Sequence, residues 1–301
     1  LIALGNHLMH SINKEAIAND VNLCATILLN TRANSMSLDE YERHTIFFRD
    51  LLTKVNGTSS TTPALDNNQR VIDRLLKLEF INVSSQQTGK IISLKGSALQ
   101  SASWYQNNTI HLLLPSAVIA FLLTRRKTGI TAQSLRAISR RVYPYLCDAP
   151  SEEASMQIKN SLEVLGSSKT LSVKDGRLWS PKRKKPGYSE LKILSRLVEP
   201  ILEELFVILS LASKKQFNEL RLRKKSESIM SYLRELRKTS KVTNLSQGLA
   251  EEFIGKAISS SLIRVTEDKR VHAGKVAKLA IALFEPLMNE DVIEILSKQD
   301  T

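Results

Sequence analysis

The sequence predicts a mainly α-helical fold with small β-hairpins, and three observations support this prediction. Apolar residues recur at helical spacing along most of the chain, and a helix followed by two β-prone runs occurs three times. The chain has 301 residues, 42% of them hydrophobic, which suffices for one large core or two smaller ones. Two cysteines are too few for a disulfide framework, which favours a reducing, cytoplasmic setting.

The first helix boundary that the sequence defines sharply is a capping box. In Ser37-Leu38-Asp39-Glu40, the Ser oxygen and the Glu carboxylate can satisfy free backbone donors of the first helical turn. We expect a helix to begin there and to be followed by the polar loop of residues 57–63. The longest apolar run, residues 110–123, is shorter than the roughly 20 residues that cross a bilayer. The sequence therefore predicts no transmembrane helix, and any membrane attachment would be peripheral.

A helix-plus-hairpin unit occurs three times, with two β-prone runs around a polar turn in each. The units are residues 71–79 with 80–83 and 91–94, residues 156–165 with 171–173 and 177–179, and residues 250–259 with 262–265 and 270–272. Asp175-Gly176 is a strong hairpin signal. Such a unit looks like a winged helix. Because the formal net charge is +13, the alternative function is a basic winged-helix-like nucleic-acid-binding module.

The best linker divides the chain into two predicted lobes. Residues 181–187 contain two prolines, Gly187 and four consecutive cations, here called the basic run: Lys182, Arg183, Lys184 and Lys185. The predicted lobes are residues 1–180 and residues 188–301, both helical. After the linker, an apolar stripe at spacings of three and four predicts one long core helix: Leu191, Leu194, Val198, Ile201, Leu205, Ile208 and Ala212.

A search for catalytic and ligand-binding motifs gives little. The chain lacks GxxxxGK[ST], GxGxxG, GxSxG, HExxH and paired CxxC motifs, so no cofactor is predicted. His7 and His10 could share one helix face, but a zinc site needs at least a third protein ligand, so no metal is predicted either.

Several ordered blocks resemble the region after the catalytic domain of the bacterial membrane-bound glycerol-3-phosphate 1-O-acyltransferase family. The blocks are Leu4-Gly5-Asn6, Ile12-Asn13, Ala16, Asn19, residues 22–29, Tyr105-Gln106-Asn107-Asn108 with His111, Leu114-Pro115-Ser116, Tyr143-Pro144, Glu252-Phe253, Lys256-Ala257 and residues 260–262. They cover nearly the whole chain in the family's order.

The resemblance implies a role in phospholipid biosynthesis. The whole enzyme would transfer a fatty acyl group from acyl-CoA or acyl-carrier protein to the sn-1 hydroxyl of glycerol 3-phosphate. It would act as a peripheral protein on the cytoplasmic side of the cell inner membrane. The chain starts at Leu1 without an initiator Met, so we expect a C-terminal fragment that is inactive alone and whose partner is its own N-terminal catalytic domain.

The family's catalytic blocks have no counterpart in this sequence. His-x4-Asp, G-x-x-F-x-x-R and P-E-G-x-R-S are all missing, so no catalytic residue is carried over. The nearest pairs depart from the first block: His44 and Asp50 are separated by five residues, and His10 and Glu15 have the right spacing but the wrong acid.

Two groups of residues remain as candidate contact sites. Tyr105, Asn107, Asn108 and His111 are candidates for interdomain contact, with one Asn as the N-cap of the following helix. The basic run is a candidate for contact with an anionic membrane surface, at about 1 kcal/mol per cation near the surface. The basic run and a second cluster are both typical of solvated faces, and near an anionic membrane the cations of the second cluster would add the same attraction. The second cluster is Arg221, Arg223, Lys224, Lys225, Arg234, Arg237 and Lys238.

Overall fold

The computed structural model describes residues 16–57, 68–87, 89–146, 151–185, 187–214, 217–237 and 249–298. Some sequence predictions concern residues outside these ranges. They are the first resemblance block before Ala16, the histidines His7 and His10, the pair His10–Glu15, most of the loop at residues 57–63, Pro186 and Lys238.

The chain divides into two compact units, Leu1–Val198 and Glu199–Thr301. The division lies inside the helix Tyr188–Ser213, which follows the predicted linker. The lobe boundary at residues 181–187 stays a prediction.

Unit 1 is mainly helical. Its described helices are α1 (Asp20–Leu29), α2 (Leu38–Asn56), α3 (Asn68–Lys77), α4 (Leu99–Asn107), α5 (Ile110–Arg125), α6 (Ala132–Leu146) and α7 (Ser151–Ser167). Its described strands are β1 (Ser35–Ser37), β2 (Ile81–Gln86), β3 (Gly89–Leu94), β4 (Ser172–Lys174) and β5 (Arg177–Trp179).

Helix α8 (Tyr188–Ser213) begins in unit 1 and ends in unit 2. The other described elements of unit 2 are α9 (Glu219–Leu236), α10 (Leu249–Ser259), β6 (Ile263–Val265), β7 (Val271–Ala273), α11 (Lys275–Phe284) and α12 (Glu290–Ser297). The fold is thus mainly helical with small antiparallel strand pairs, as the sequence predicts.

All three predicted hairpins form, each after its predicted helix. Strands β2 and β3 follow α3, β4 and β5 follow α7, and β6 and β7 follow α10. Asp175 and Gly176 have φ values of 52° and 69°, the left-handed conformation that a tight hairpin turn requires.

One repeated feature was not predicted. In each of the three helix-plus-hairpin repeats, an extended segment lies before the two helices that precede the hairpin. This segment pairs antiparallel with the second half of the hairpin. The pairs are β1 with β3, Ile130 with Leu178, and Asn218 with Arg270. The designation as a winged helix stays a prediction.

The predicted apolar stripe is buried along α8. Its members are between 0% and 6% exposed: Leu191, Leu194, Val198, Ile201, Leu205, Ile208 and Ala212. Burial of this face explains why a 26-residue helix persists through Pro200, since apolar burial supplies about 25 cal/mol per Å².

The predicted start of helix α2 is confirmed, whereas the predicted N-cap of helix α5 is wrong. Helix α2 begins at Leu38 as predicted, and the Ser37 hydroxyl accepts from the Glu40 N–H at 3.3 Å. The second half of the predicted capping box is wrong, because the Glu40 carboxylate accepts from the Ser37 hydroxyl at 3.1 Å instead of from a backbone N–H. The prediction that Asn107 or Asn108 caps α5 is wrong, because Thr109 holds the N-cap position and Asn108 instead ends α4. Only two residues separate these helices, which meet at 85°, so Asn108 is used to end the first helix.

None of the described helices is by itself both long and apolar enough to cross a membrane. The segments Gly96–Asn107 and Ile110–Arg125 reach the required length and composition only when they are taken together as a bent pair.

Candidate functional site

The basic run lies on the surface of unit 1 immediately before α8. Lys182, Arg183, Lys184 and Lys185 are all exposed. The Lys185 N–H donates to the Lys182 carbonyl at 2.8 Å, and the Tyr188 N–H donates to the Lys185 carbonyl at 3.3 Å. The run is therefore a turn that leads into the helix and leaves all four side chains exposed.

A cavity of about 310 Å³ lies in unit 1 beside the basic run. The end of α5, the end of β5, the first two residues of the basic run and Tyr188 line it. Three of its lining residues are cations, namely Arg126, Lys182 and Arg183, and no histidine, cysteine, Asp or Glu is among them. A cavity of this composition suits an anion and offers neither a histidine nor a carboxylate for general acid–base chemistry.

Close packing fixes the wall of the cavity at Trp179. A Cβ atom added to Gly129 would lie 2.4 Å from Trp179 Cε2, so the indole can occupy its place only because residue 129 is glycine. Ile130 and Leu178 hold the backbone here with hydrogen bonds of 3.0 and 2.8 Å. The Arg177 guanidinium also donates to the Gly129 carbonyl at 3.2 Å.

The predicted interdomain residues lie where α4 ends and α5 begins. Tyr105 is 38% exposed, and its ring meets Phe80 edge to face at a centroid distance of 5.8 Å. Asn108 is exposed, whereas Asn107 and His111 are half-buried. The Asn22 side chain donates to the Tyr105 carbonyl at 2.8 Å, which ties the end of α4 to α1. The block therefore combines an internal anchor with an exposed aromatic surface.

His44 makes a buried contact that the sequence could not show. Its Nδ1 lies 3.4 Å from Glu190 Oε1, and both side chains are almost fully buried. Burial alone would raise the pKa of the Glu190 carboxyl, but interactions with His44, its own backbone N–H and the Ser189 hydroxyl lower it to about 2. Asp50 is 62% exposed and pairs with Lys54. His44 and Asp50, whose spacing differs by one residue from His-x4-Asp, therefore have different partners in the structure.

Arg237 forms the centre of a polar network in unit 2. Its guanidinium donates to Asp291 at 2.6 and 2.7 Å and to Glu203 at 2.7 and 3.1 Å. The Asn289 amide donates to Glu203 at 2.6 Å and to Glu199 at 2.8 Å. The prediction that Arg237 belongs to a solvated face is wrong, because its side chain is only 24% exposed and forms ion pairs with two carboxylates.

The pKa values of this network follow from burial and pairing. Burial would lower the pKa of Arg237, but the hydrogen bonds that its guanidinium donates to Asp291 and Glu203 raise it above its usual value. Burial raises the pKa of Glu203 despite those contacts. On the same helix, burial raises the pKa of Glu204 to about 7, although the nearby Arg234 opposes that shift.

The nucleic-acid alternative is not supported. The helices that precede the second and third hairpins carry acidic first turns: Glu152 and Glu153 in α7, and Glu251 and Glu252 in α10. A helix that approaches DNA phosphates needs cations there instead. Arg223 donates to Glu251 at 2.6 Å, so part of the second basic cluster is engaged within the protein.

Among the described residues, no three His, Cys, Asp or Glu side chains converge so that they could hold a metal ion.

The mainly helical fold and the cation-lined cavity define a basic helical module whose cavity suits an anion. The family described as the glycerol-3-phosphate acyltransferase C-terminal region matches residues 1–268, and the chain belongs to that family.

Similar proteins cover the chain to different extents. A glycerol-3-phosphate acyltransferase of Pseudoalteromonas atlantica is 25% identical over 98% of this chain and 37% of its own length. Those of Shewanella baltica and Shewanella denitrificans are 33% and 32% identical over 48% of this chain and 18% of their own length. The chain therefore spans little more than a third of the length of the Pseudoalteromonas relative.

Proposed function

We propose that the chain is the C-terminal part of a glycerol-3-phosphate 1-O-acyltransferase. The whole enzyme transfers a fatty acyl group from acyl-CoA or acyl-carrier protein to glycerol 3-phosphate, a step of phospholipid biosynthesis. The observation that carries this proposal is the family match over residues 1–268, joined by relatives with that name. Because the His-x4-Asp block has no counterpart in the sequence, the acyl-transfer chemistry belongs to a separate N-terminal catalytic domain.

The partner of this region is that catalytic domain, and the surface around Tyr105 is the proposed contact. Trp104 is 58% exposed and Tyr105 is 38% exposed, so two large aromatic side chains stand next to each other on the surface. Exposed aromatic residues are enriched at the energetic centres of protein interfaces. The relatives are much longer than this chain, which supports a domain of the same protein as the occupant.

The second proposed contact is an anionic membrane surface. The four exposed cations of the basic run could each add about 1 kcal/mol of attraction to anionic headgroups. This contact would make the whole enzyme a peripheral protein of the inner membrane, on its cytoplasmic side.

A chimera tests the acyltransferase proposal. The matching C-terminal region of the Pseudoalteromonas relative is replaced by this chain, and thiol release from palmitoyl-CoA is measured with glycerol 3-phosphate. We expect the chimera to exceed the truncated relative, while the isolated chain releases no more thiol than a heat-treated sample. A folded chimera with no more activity than the truncated relative, or turnover by the isolated chain, would overturn the proposal.

The same chimera tests the proposed interdomain surface. Replacing Trp104 and Tyr105 together with Ala should lower the activity of the chimera, because two aromatic contacts would be lost at the interface. The control is Met156→Ala, since Met156 is 59% exposed and lies away from this surface. Equal activity of both variants would contradict the contact.

A further inference from the structure

The lining of the cavity beside the basic run contains three cationic residues and no acidic residue. Arg126, Lys182 and Arg183 line it, and none of the three forms an ion pair with an acidic residue in the described ranges. Two of them come from the basic run, whereas Arg126 ends α5, so distant parts of the sequence bring the cations together. Three lining cations without a carboxylate among the lining residues make the potential at this opening positive, which favours an anion.

Two lining residues also carry buried donors without acceptors. Among the described residues, neither Arg126 Nε nor Trp179 Nε1 has a hydrogen-bond partner, and both atoms are buried. An unsatisfied buried N–H is costly, so such groups in a native structure call for an explanation. Trp179 Nε1 lies against Gly129, since a Cβ added to that glycine would come within 2.5 Å of it, so this donor belongs to the packed interior of the wall, whereas the three lining cations supply the positive charge of the cavity.

The walls are formed before any ligand arrives. Trp179 is fixed against Gly129, and the Ile130–Leu178 backbone pair closes the hairpin edge behind it. On the other side, Gly187 has φ +84°, and a Cβ there would come within 2.6 Å of Thr170 Cα. The turn that carries Lys182 and Arg183 is thereby held against the rest of unit 1, so little order must be gained on binding.

We propose that this cavity binds a phosphate group, either as a small phosphate ester or as the headgroup of an anionic phospholipid. A phosphate offers several acceptor oxygens and up to two negative charges, which matches two guanidinium groups and one ammonium group. Thr128, Ser180 and Tyr188 add hydroxyl groups to the lining. The volume of about 310 Å³ lies at the lower end of the range for small-molecule sites, roughly 300–1,000 Å³. This site does not depend on the acyltransferase activity of the whole protein.

The experiment compares two variants of the cavity with a matched control from elsewhere on unit 1. Arg126→Gln and Arg183→Gln each remove a lining cation, whereas Lys90→Gln removes an exposed cation that lies outside both the cavity lining and the basic run. All three variants change the net charge equally. Arg183 is exposed, so its replacement should leave the fold intact, which circular dichroism checks.

Two arms separate the sources of the phosphate. In the first, calorimetry follows binding of inorganic phosphate, with acetate as a comparison at equal ionic strength. In the second, co-sedimentation follows binding to phosphatidic acid vesicles and to phosphatidylcholine vesicles. In whichever arm shows binding by the wild-type chain, we expect Arg126→Gln and Arg183→Gln to weaken it about tenfold and Lys90→Gln to have little effect.

Saturable binding of inorganic phosphate identifies a site for free phosphate esters, and binding only to phosphatidic acid vesicles identifies a headgroup site. Either result supports the proposal if the two cavity variants lose it. The proposal is overturned if neither probe binds, if acetate binds as well as phosphate, or if Lys90→Gln weakens binding as much as Arg126→Gln.

Discussion

His44 Nδ1 and Glu190 Oε1 lie 3.4 Å apart, with 1% and 7% of the two side chains exposed. The pair joins α2 to the first turn of α8 inside unit 1. A general base must reach a substrate proton within hydrogen-bond distance, and a side chain this deeply buried cannot do so. The histidine–carboxylate contact is therefore part of the structural framework of unit 1.

Glu190→Gln should destabilise unit 1 at neutral pH and have little effect in acid. The folded pKa of Glu190 is about 2 against an ordinary value of 4.5. A lowered pKa gives stability that is present above about pH 4.5 and is lost as the pH falls towards 2. The difference in unfolding free energy from the wild type should be about 3 kcal/mol at pH 7 and shrink below pH 4.

Denaturant unfolding at pH 7, 4 and 3 measures this change. Glu163→Gln is the control, because that carboxyl is 65% exposed and its ion pair with Lys159 is 3.9 Å long. A penalty for Glu190→Gln that is as large at pH 3 as at pH 7 would show that its carboxylate charge does not stabilise the fold.

Glu204→Gln should stabilise unit 2 at alkaline pH. Burial raises the folded pKa of Glu204 to about 7, and its Oε1 has no partner in the described ranges. A raised carboxyl pKa means that stability falls as the pH rises from about 4.5 to 7, because ionisation is easier in the unfolded chain. Replacement by the neutral Gln should abolish that loss of unfolding free energy, which is at most about 3 kcal/mol at pH 8.

Unfolding of wild type and Glu204→Gln at pH 5 and pH 8 provides the test. The two proteins should be close in stability at pH 5 and should diverge at pH 8. If the wild type instead became more stable than the variant as the pH rises, the effect would have the opposite sign. The Glu204 carboxyl would then not be held neutral by burial.

Arg237→Ala should cost unit 2 about 3–5 kcal/mol, because it leaves the buried Glu203 without its bidentate partner. Lys224→Ala on the same helix is the control, since Lys224 is exposed. Thermal unfolding of both variants gives the comparison. If Arg237→Ala were as stable as Lys224→Ala, the network would contribute nothing beyond a surface ion pair.

Replacing all four cations of the basic run with Gln should weaken binding to phosphatidylglycerol vesicles by up to a few kcal/mol. Binding to neutral vesicles should change little. The difference should shrink with salt, because the screening length falls from about 10 Å at 0.1 M to about 3 Å at 1 M.

An equal change of charge elsewhere on unit 1 is the control for that experiment. Four exposed cations on α3 and β3 serve this purpose when all are changed to Gln: Arg70, Arg74, Lys77 and Lys90. Co-sedimentation at low and high salt compares the two variants. Equal losses would mean that net charge alone attracts the protein to the membrane.

Local patterns in the sequence predicted the elements that local chemistry decides. The Ser37 cap, the Asp175-Gly176 turn and the buried stripe of α8 each depend on residues that are close along the chain. Pairings between distant segments were not predictable in the same way. The strand β1 was missed because three polar and apolar residues alternate too briefly to signal a strand before β3 is placed beside them.

The candidate site shows the same division. The exposure of the basic run follows from its flanking prolines, so the sequence could indicate it. The convergence of Arg126 with Lys182 and Arg183 brings the end of α5 to the segment before α8, which no spacing along the chain encodes. Arg237 was misassigned for a related reason, since its carboxylate partners lie on α8 and α12.

The close contact between Trp179 and Gly129 has an optical consequence. The chain has two tryptophans, and the other, Trp104, is 58% exposed. A Trp104→Phe background leaves a single indole emitter at the wall of the cavity, already shielded on one face by the glycine backbone. Fluorescence intensity and quenching by iodide would then report on events at that wall, without any dye attached to the protein.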